Sequence, residues 1–519
     1  MSSFSEKVYY LARKRLNPLK NQKHRVKFSP IKSSKHYMSN LSNNFIAGDW
    51  IAGPGSISNI NPSDTHDVIG EYAQASKSQL EDALNSAKIA QKQWSATGLE
   101  QRQAVLMKIG EEMMARSAEL GELLSREEGK PLAEGKGEVY RAGQFFTYYA
   151  AEVLRQSGDT ADSVRPGIEV DVRREPMGTV AIISPWNFPT ATASWKIAPA
   201  LAFGNAVIWK PANLTPASAV ALTEIISKQD IPKGLFNLVM GSGSSIGQAL
   251  VESPMVHAIS FTGSYDVGLQ IASAAAKNLT KFQLELGSKN PLVIMDDADI
   301  EVAVAAATGG AFGSTGQKCT ASSRLVVHES IHDEFVDRMQ KSTSALKVGH
   351  ALEEGTQIGP ASSEEQLASN LKYMDLARQE GCEVACGGEQ LELKTHGFYM
   401  QPALLIGGDN SMRVNREELF APMACVIKVK NYDEALVVAN DTDFGLVSGI
   451  ITQSLSIASH FRRNAESGCV MVNLPTAGTD YHVPFGGRKN SSFGPREQGQ
   501  YAKELYTQVK TSYISAGNP

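Results

Sequence analysis

A cysteine, Cys319, stands in the run Phe312-Gly313-Ser314-Thr315-Gly316-Gln317-Lys318-Cys319-Thr320-Ala321-Ser322-Ser323-Arg324. An apolar small-residue segment (302–310) precedes it and the strand-like Leu325-Val326-Val327 follows. Small residues let backbone and ligand approach the sulfur, and glycine permits the tight turn that exposes it. An isolated cysteine is ordinarily an inert, buried small hydrophobe. Two other stretches argue otherwise here. Glu285 lies upstream in Gln283-Leu284-Glu285-Leu286-Gly287-Ser288-Lys289-Asn290-Pro291, and Asn187 lies in Ser184-Pro185-Trp186-Asn187-Phe188-Pro189, which closes the apolar run Val180-Ala181-Ile182-Ile183. Alone, Glu285 reads as a solvated charge and Asn187 as a turn residue between strand and helix. Together, thiol, carboxylate and amide are a nucleophile, a base and an oxyanion donor.

The elements that must position these groups alternate regularly. Apolar runs predict strands over 179–184, 206–210, 235–240 and 257–262, and helices over 191–202, 217–228, 245–252 and 265–276. Such alternation implies parallel βαβ winding, in which ligands sit outside the carboxyl ends of the strands. Pro185, Lys210, Gly241 and Gly263 fall just there. The glycines of Gly241-Ser242-Gly243-Ser244-Ser245-Ile246-Gly247 and of Phe261-Thr262-Gly263-Ser264-Tyr265-Asp266-Val267-Gly268 match no dinucleotide fingerprint. They do lie between strand and helix, where backbone N–H groups can meet phosphate. Upstream, Leu80, Ala83, Leu84, Ala87 and Ala90 mark one helix face, the stripe from Ala104 to Leu124 a single long helix, and residues 138–153 a third. Polar residues 159–178 form an excursion from the globule. A second alternating block runs from Pro291 to about Cys469, and a strand-like tail covers 506–514.

A chain of 519 residues is too long for one core, so two or more domains are expected. With 42% hydrophobic and 20% charged residues it is neither disordered nor fibrous. No uncharged apolar run reaches 18 residues, which argues against a membrane span. Five sparse cysteines do not form a disulfide framework, and a reducing compartment, the cytoplasm, follows. Cys382-x-x-x-Cys386 lacks a second ligand pair, so no metal site is expected. Residues 1–36 hold ten Lys/Arg against the single Glu6, and the body is correspondingly acidic, giving no sign of nucleic-acid binding. This head reads as a transit peptide, as a disordered solvated arm, or as residues ahead of a true start at Met38, the last being favoured.

From about Phe45 to the C-terminus the motifs, taken in order, resemble the aldehyde dehydrogenase superfamily. The resemblance implies an α/β fold with two Rossmann-like parallel-sheet domains and a β oligomerisation arm. The cofactor-binding domain would comprise 44–158 and 179–288, and the catalytic domain 289–488. A basic extension covers 1–43, and the arm and tail cover 159–178 and 489–519, with the tail pairing onto the arm of another subunit. Cys319 would attack an aldehyde, and surroundings that favour its thiolate are expected. Asn187 and the Cys319 N–H would hold the oxyanion, and Glu285 would activate the water that hydrolyses the thioester. NAD or NADP is the implied cofactor, met by Trp186, Lys210, Gly241, Gly263, Ser264 and Gly268. Asn213 stands where NAD-strict members often carry Glu, which removes a charge that would repel a 2′-phosphate. Glu417-Glu418-Leu419-Phe420-Ala421-Pro422 resembles the family's Glu-x-Phe-Gly-Pro, with Glu418 on the nicotinamide ribose and Phe420 near the ring. Pro484-Phe485-Gly486-Gly487-Arg488-Lys489-Asn490-Ser491-Ser492-Phe493-Gly494 resembles the C-terminal signature, with Ser492 where glycine is common.

By family position Tyr140, Arg141, Gln144, Phe188, Thr192, Lys318, Thr320 and the loop 475–481 would line the substrate tunnel. Arg141, Gln144 and Lys318 suit an aldehyde that bears a carboxylate, and the flavour is that of the α-ketoglutaric semialdehyde (2,5-dioxovalerate) dehydrogenases. Succinic or glutaric semialdehyde, or a broad aldehyde range, is the rival. A homodimer or homotetramer is implied. A cysteine hydrolase would need an oriented histidine, and His328 and His332 flank only a strand end and a helix start. A non-catalytic binding protein on the same fold would not need Cys319, Glu285 and Asn187 all intact.

Overall fold

The structure, a computed structural model, describes residues 43–155, 158–515 and 517. The basic head therefore lies outside the described residues, except for residue 43. Thr179–Ile183 and Ala206–Lys210 are buried along their whole lengths, the mark of strands covered on both faces. They are neighbours at the centre of an eight-stranded sheet. Phe236–Leu238, Ala206–Lys210, Thr179–Ile183, Ala258–Thr262 and Lys281–Glu285 run parallel in that order. Antiparallel strands close both edges, Asn44–Ile46 with Asp49–Ile51 on one side and Ser492–Phe493 on the other.

Helices Pro189–Ala202, Pro216–Ser227 and Tyr265–Lys277 form where the alternation places them. The helix expected over 245–252 is instead a π turn, Gly243–Gly247, leading into the short helix Gln248–Glu252. Lys77–Ser95 buries the stripe Leu80, Ala83, Leu84, Ala87 and Ala90. The long helix expected through Leu124 is two, Leu99–Ala115 and Ser117–Glu128, which part at Arg116 (φ −96°, ψ 12°). Met113 and Leu120 lie two helical turns apart, so their stripe does not betray the break. Gly129, left-handed at φ 96°, ends the second of these, and Leu132–Glu152 follows, starting earlier than residue 138.

A second, seven-stranded sheet takes the order Glu383–Cys386, Ala403–Ile406, Met423–Val429, Arg324–His328, Pro291–Ile294, Val447–Ile451, Cys469–Val472. All but its first strand pair in parallel. The tail departs from what the resemblance implied. Thr507–Ser515 pairs antiparallel with Ile168–Pro176 of its own chain, and Asp159–Asp162 pairs on the other side. Ala502, Leu505 and Tyr506 are buried in the core of the larger sheet, and the Met177 N–H donates to the Tyr506 carbonyl at 3.2 Å. That anchor delivers residue 507 opposite Pro176, and the register runs on from there. Ser492–Phe493 likewise joins the larger sheet ahead of the arm strand.

Candidate active site

The chain reaches Cys319 through a strained turn. Helix Ile300–Phe312, capped by Asp299, is followed by Ser314 (φ 53°, ψ 36°), Thr315 (φ 56°, ψ 28°) and Gly316 (φ 66°), all left-handed. Each non-glycine in that region costs roughly 1–2 kcal/mol, so the surroundings must hold the turn. Ser314 donates to the Glu134 carboxylate, Thr315 Oγ1 donates to Gly359 O at 3.1 Å, and Gln317 Oε1 accepts from Ser362 N at 2.9 Å. A Cβ at Gly316 would lie 2.1 Å from Ala421 O, so glycine is required there. Asn290 clamps the far side, its Nδ2 donating to Cys319 O at 2.7 Å and to Ala321 O at 3.0 Å.

Cys319, Glu285 and Asn187 line one cavity of about 240 Å³. Asn187 precedes the helix Pro189–Ala202 and is fixed from two sides. Its Nδ2 donates to Gln317 O at 3.0 Å, which leaves the second amide hydrogen for a ligand. Its carbonyl accepts from the buried Lys130 Nζ at 2.6 Å. Lys130 also bonds Glu138 Oε2 at 2.7 Å and lies 3.9 Å from the Phe188 ring centroid. The other oxygen of Glu138 accepts from Thr190 N and Ala191 N, at 3.0 and 3.1 Å, at the first turn of that helix.

Glu285 ends the strand Lys281–Glu285 and is 3% exposed. Burial, and then the charge of Glu497, push its carboxyl well above the ordinary range, opposed by a hydrogen bond from Ser492 and by Lys196 and Arg496. Behind it, Ser260 Oγ donates to Gln283 Oε1 at 3.0 Å, Lys196 Nζ donates to Ser260 Oγ at 2.9 Å, and Lys196 pairs with Glu497. Trp195 Nε1 holds the other oxygen of Glu497 at 2.8 Å. The thiol departs from expectation. Burial, then Glu285 and Glu418, push the Cys319 pKa up, so the protein groups around it favour the protonated form.

On the cofactor side, Trp186, Gly263, Ser264, Glu418 and Phe420 line the same cavity, with the Trp186 and Phe420 rings edge to face at 5.6 Å. Ser264 is the N-cap of Tyr265–Lys277 and makes no side-chain cap bond, so the first N–H groups of that helix are available to an anion such as a pyrophosphate. Glu418 accepts from Ser288 N at 2.8 Å, and burial raises its carboxyl to about 7. A Cβ at Gly287 would meet Glu418 Oε2 at 2.0 Å. Lys210 closes its strand, its amine held by Pro211 O at 2.9 Å and pushed down to about 8 by burial. Gly241 turns tightly against Ile246, Asn213 is exposed, and Gly268 packs against Leu286, where a Cβ would come within 2.5 Å. The uncapped helix start at Ser264 and the close glycine turns suit a phosphate-bearing dinucleotide.

On the substrate side, Phe188 and Thr192 line the cavity, whereas Tyr140, Arg141, Gln144 and Thr320 do not. Tyr140, Arg141 and Gln144 share the helix Leu132–Glu152, and Tyr481 lies over that helix, 5.4 Å from the Arg141 guanidinium and edge to face with Phe145 and Tyr148. Phe145 in turn meets Trp195, a lining residue, at 5.7 Å. Thr320 offers its carbonyl to Thr476 Oγ1 at 2.6 Å. Lys318 is not a tunnel residue. Its amine is buried and donates to Gly309 O at 2.9 Å, anchoring the nucleophile loop from within. Sequence reasoning missed Lys130, Glu138, Asn290, Lys196, Glu497 and the contact of Ser492. Glu497 follows the C-terminal signature closely, which was the one available signal.

The aldehyde dehydrogenase family model matches residues 50–512. An alpha-ketoglutaric semialdehyde dehydrogenase of Bacillus subtilis is 39% identical over 91% of this chain and 97% of its own. A 2,5-dioxopentanoate dehydrogenase of Saccharolobus solfataricus is 36% identical over 90% of this chain and 98% of its own. Among solved structures, betaine aldehyde dehydrogenase from Staphylococcus aureus in complex with NAD+ superposes with a TM-score of 0.90 at 32% identity, covering 93% of this chain and 96% of the other. An aldehyde dehydrogenase from Brucella melitensis biovar abortus 2308 gives 0.88 at 33%, over 92% and 98%. With thiol, carboxylate and amide on one cavity at the edge of a doubly wound sheet, and with relatives matched over nearly their whole length, the chain belongs to the aldehyde dehydrogenase family.

Proposed function

We propose that the chain oxidises an ω-carboxylated semialdehyde of the α-ketoglutaric type to the corresponding acid, with NAD or NADP as cofactor. The convergence of Cys319, Glu285 and Asn187 on one cavity carries the chemistry. The Cys319 sulfur adds to the aldehyde carbon, its proton leaving to base. The oxygen becomes an alkoxide that meets the free Asn187 amide hydrogen and the Cys319 N–H. The nicotinamide, when bound, supplies the acceptor for the hydride that the tetrahedral carbon must lose to become a thioester. Glu285 then deprotonates a water that attacks the thioester carbon, and the C–S bond breaks to release acid and thiol. Gln283 Nε2 donates to Glu285 Oε1 at 3.4 Å, and Ser260, Lys196 and Glu497 continue that buried polar set away from the sulfur.

Arg141, beside Tyr481, supplies the cation for a distal carboxylate, and the names of the Bacillus and Saccharolobus relatives support that substrate class. Asn213, exposed beyond Lys210, leaves room without repulsion for a 2′-phosphate. Residues 44–158 and 179–288 would bind the cofactor, and 289–488 would present the nucleophile. The chain would act in the cytoplasm as a homodimer or homotetramer. Among the described residues no helix is long and apolar enough to cross a membrane, and Val509, Tyr513 and Ile514 on the arm are exposed apolar residues suited to a second copy. The test is absorbance at 340 nm over a panel of semialdehydes and plain alkanals with each cofactor. Higher kcat/KM for the carboxylated members, lost in Cys319→Ser, supports the reading; alkanals outrunning every carboxylated aldehyde refute the substrate assignment.

A further inference from the structure

The residue opposite the base is unusual. In the edge pairing of Lys281–Glu285 with Ser492–Phe493, Glu285 and Ser492 are direct partners, as are Leu284 and Phe493. That edge is clamped along its length. Leu286 N donates to Ser491 O at 2.8 Å, Ser491 Oγ donates to Gly287 O at 2.9 Å, and the Phe282 and Phe493 rings stack at 5.3 Å. Directly opposed residues in such a pair bring their side chains together on one face. Here Ser492 Oγ lies 2.6 Å from Glu285 Oε2. The same oxygen accepts from Gly487 N at 2.6 Å, which leaves the hydroxyl proton to donate to the carboxylate. Close backbone completes the berth. Gly486 has φ 148°, and a Cβ there would stand 2.7 Å from Glu285 Oε1.

We propose that Ser492 is a positioning residue for the general base, its hydroxyl docking the Glu285 carboxylate in ionised form against the edge strand. This deepens the hydrolytic reading above and rests on it for its catalytic meaning. Glycine, common at this position in the signature the chain resembles, offers no such donor. The charged and titratable groups around Glu285 are Cys319, Cys469, Glu497, Lys196 and Arg496. Lys196 pairs with Glu497, and Arg496 is occupied by Gly487 O, so Ser492 is the group that bonds Oε2 directly. A hydrogen bond to the charged form favours that form, so its removal raises the pH at which the base becomes competent.

The experiment compares wild type with Ser492→Gly and Ser492→Ala, two variants so that a folding failure in one leaves the other. In steady-state turnover the rising limb of the kcat–pH profile should move up by about one pH unit or more, while aldehyde KM changes little. A carboxyl band in the infrared, assigned by its loss in Glu285→Gln, should titrate higher by the same amount. A merely structural role for Ser492 would move neither. An unshifted carboxyl band in both variants overturns the proposal, whatever the activity. A shifted band in a protein that reduces no cofactor with any aldehyde upholds the docking and refutes the hydrolytic reading instead.

Discussion

Replacing Asn187 separates its chemical contribution from its structural one. The side chain is 6% exposed, and one of its two amide hydrogens is spent on Gln317 O at 3.0 Å. The second is free for the oxygen that becomes an alkoxide. Asn187→Ala therefore forfeits one ordinary hydrogen bond in the ground state, about 1 kcal/mol of stability. In the transition state it also forfeits a donor aimed at developing charge, a loss of ~3–4 kcal/mol or 10²–10³ in rate. The backbone should hold its place, because the Asn187 carbonyl keeps its bond to Lys130 and the helix behind it keeps Glu138 at its first turn. The assay is the first-turnover burst at 340 nm with saturating cofactor, beside thermal unfolding and cofactor affinity from quenching of tryptophan fluorescence. A burst slowed at least a hundredfold with near-normal affinity is expected. A burst within about threefold of wild type would show that the oxyanion is held elsewhere, and the three-residue mechanism would fail with it.

Glu285→Gln should leave a first-turnover burst and stop further turnover, and sustained turnover measured by product acid would remove Glu285 as the base. Lys130→Met leaves Glu128 and Glu138 buried without their cation, which costs roughly 3–5 kcal/mol; denaturant unfolding should show it, together with a slower burst. Lys289 is buried, its amine has no hydrogen-bond partner among the described residues, and burial pushes its pKa down to about 7 from 10.5. The unfolded chain then binds more protons between those values, so this residue makes stability rise from about pH 7 to about 10.5, by ~1.4 kcal/mol per unit. Lys289→Met should remove that slope and stabilise the protein most at or below neutral pH; an unchanged stability–pH curve would contradict it.

What could be read in the chain, and what could not, follows from how each residue acts. Cys319, Glu285 and Asn187 act through their own side chains, and each stands at the end of a strand or in a glycine-bearing turn that local pattern marks. The strands and most helices of the larger sheet were legible for a like reason, because burial on both faces writes continuous apolar runs. Lys130 and Asn290 act by bonding the carbonyls of Asn187 and Cys319, and nothing in a sequence marks which backbone oxygen a lysine or asparagine will meet. Ser492 meets Glu285 across 207 positions, through a two-residue edge strand too short to show alternation. Lys318 invited a role in recognition by its place beside Cys319, yet its long stem turns inward to Gly309.

The thiol's surroundings are the most informative departure, because they fix how charge must move. Burial disfavours any anion in the cavity, and the Glu285 charge raises the Cys319 pKa further, so thiolate and carboxylate oppose each other. Groups that interact this closely release their protons as a pair, and only one negative charge is comfortable there at a time. The counter-charges decide where it rests. Ser492, Lys196 and Arg496 all favour it on Glu285, while none of the cations named there favours it on sulfur except the neighbouring Lys318, whose own amine burial has brought down to about 8. Burial thus holds both groups toward their neutral forms, and Ser492, Lys196 and Arg496 offset that at Glu285. Negative charge then appears on the carbonyl oxygen as the C–S bond forms, where the Asn187 amide receives it, and only later on Glu285 as it readies for the water. One charge at a time costs the buried cavity less than two held together, and the base, the nucleophile and the oxyanion donor share one pocket yet are each braced by a separate set of buried polar partners.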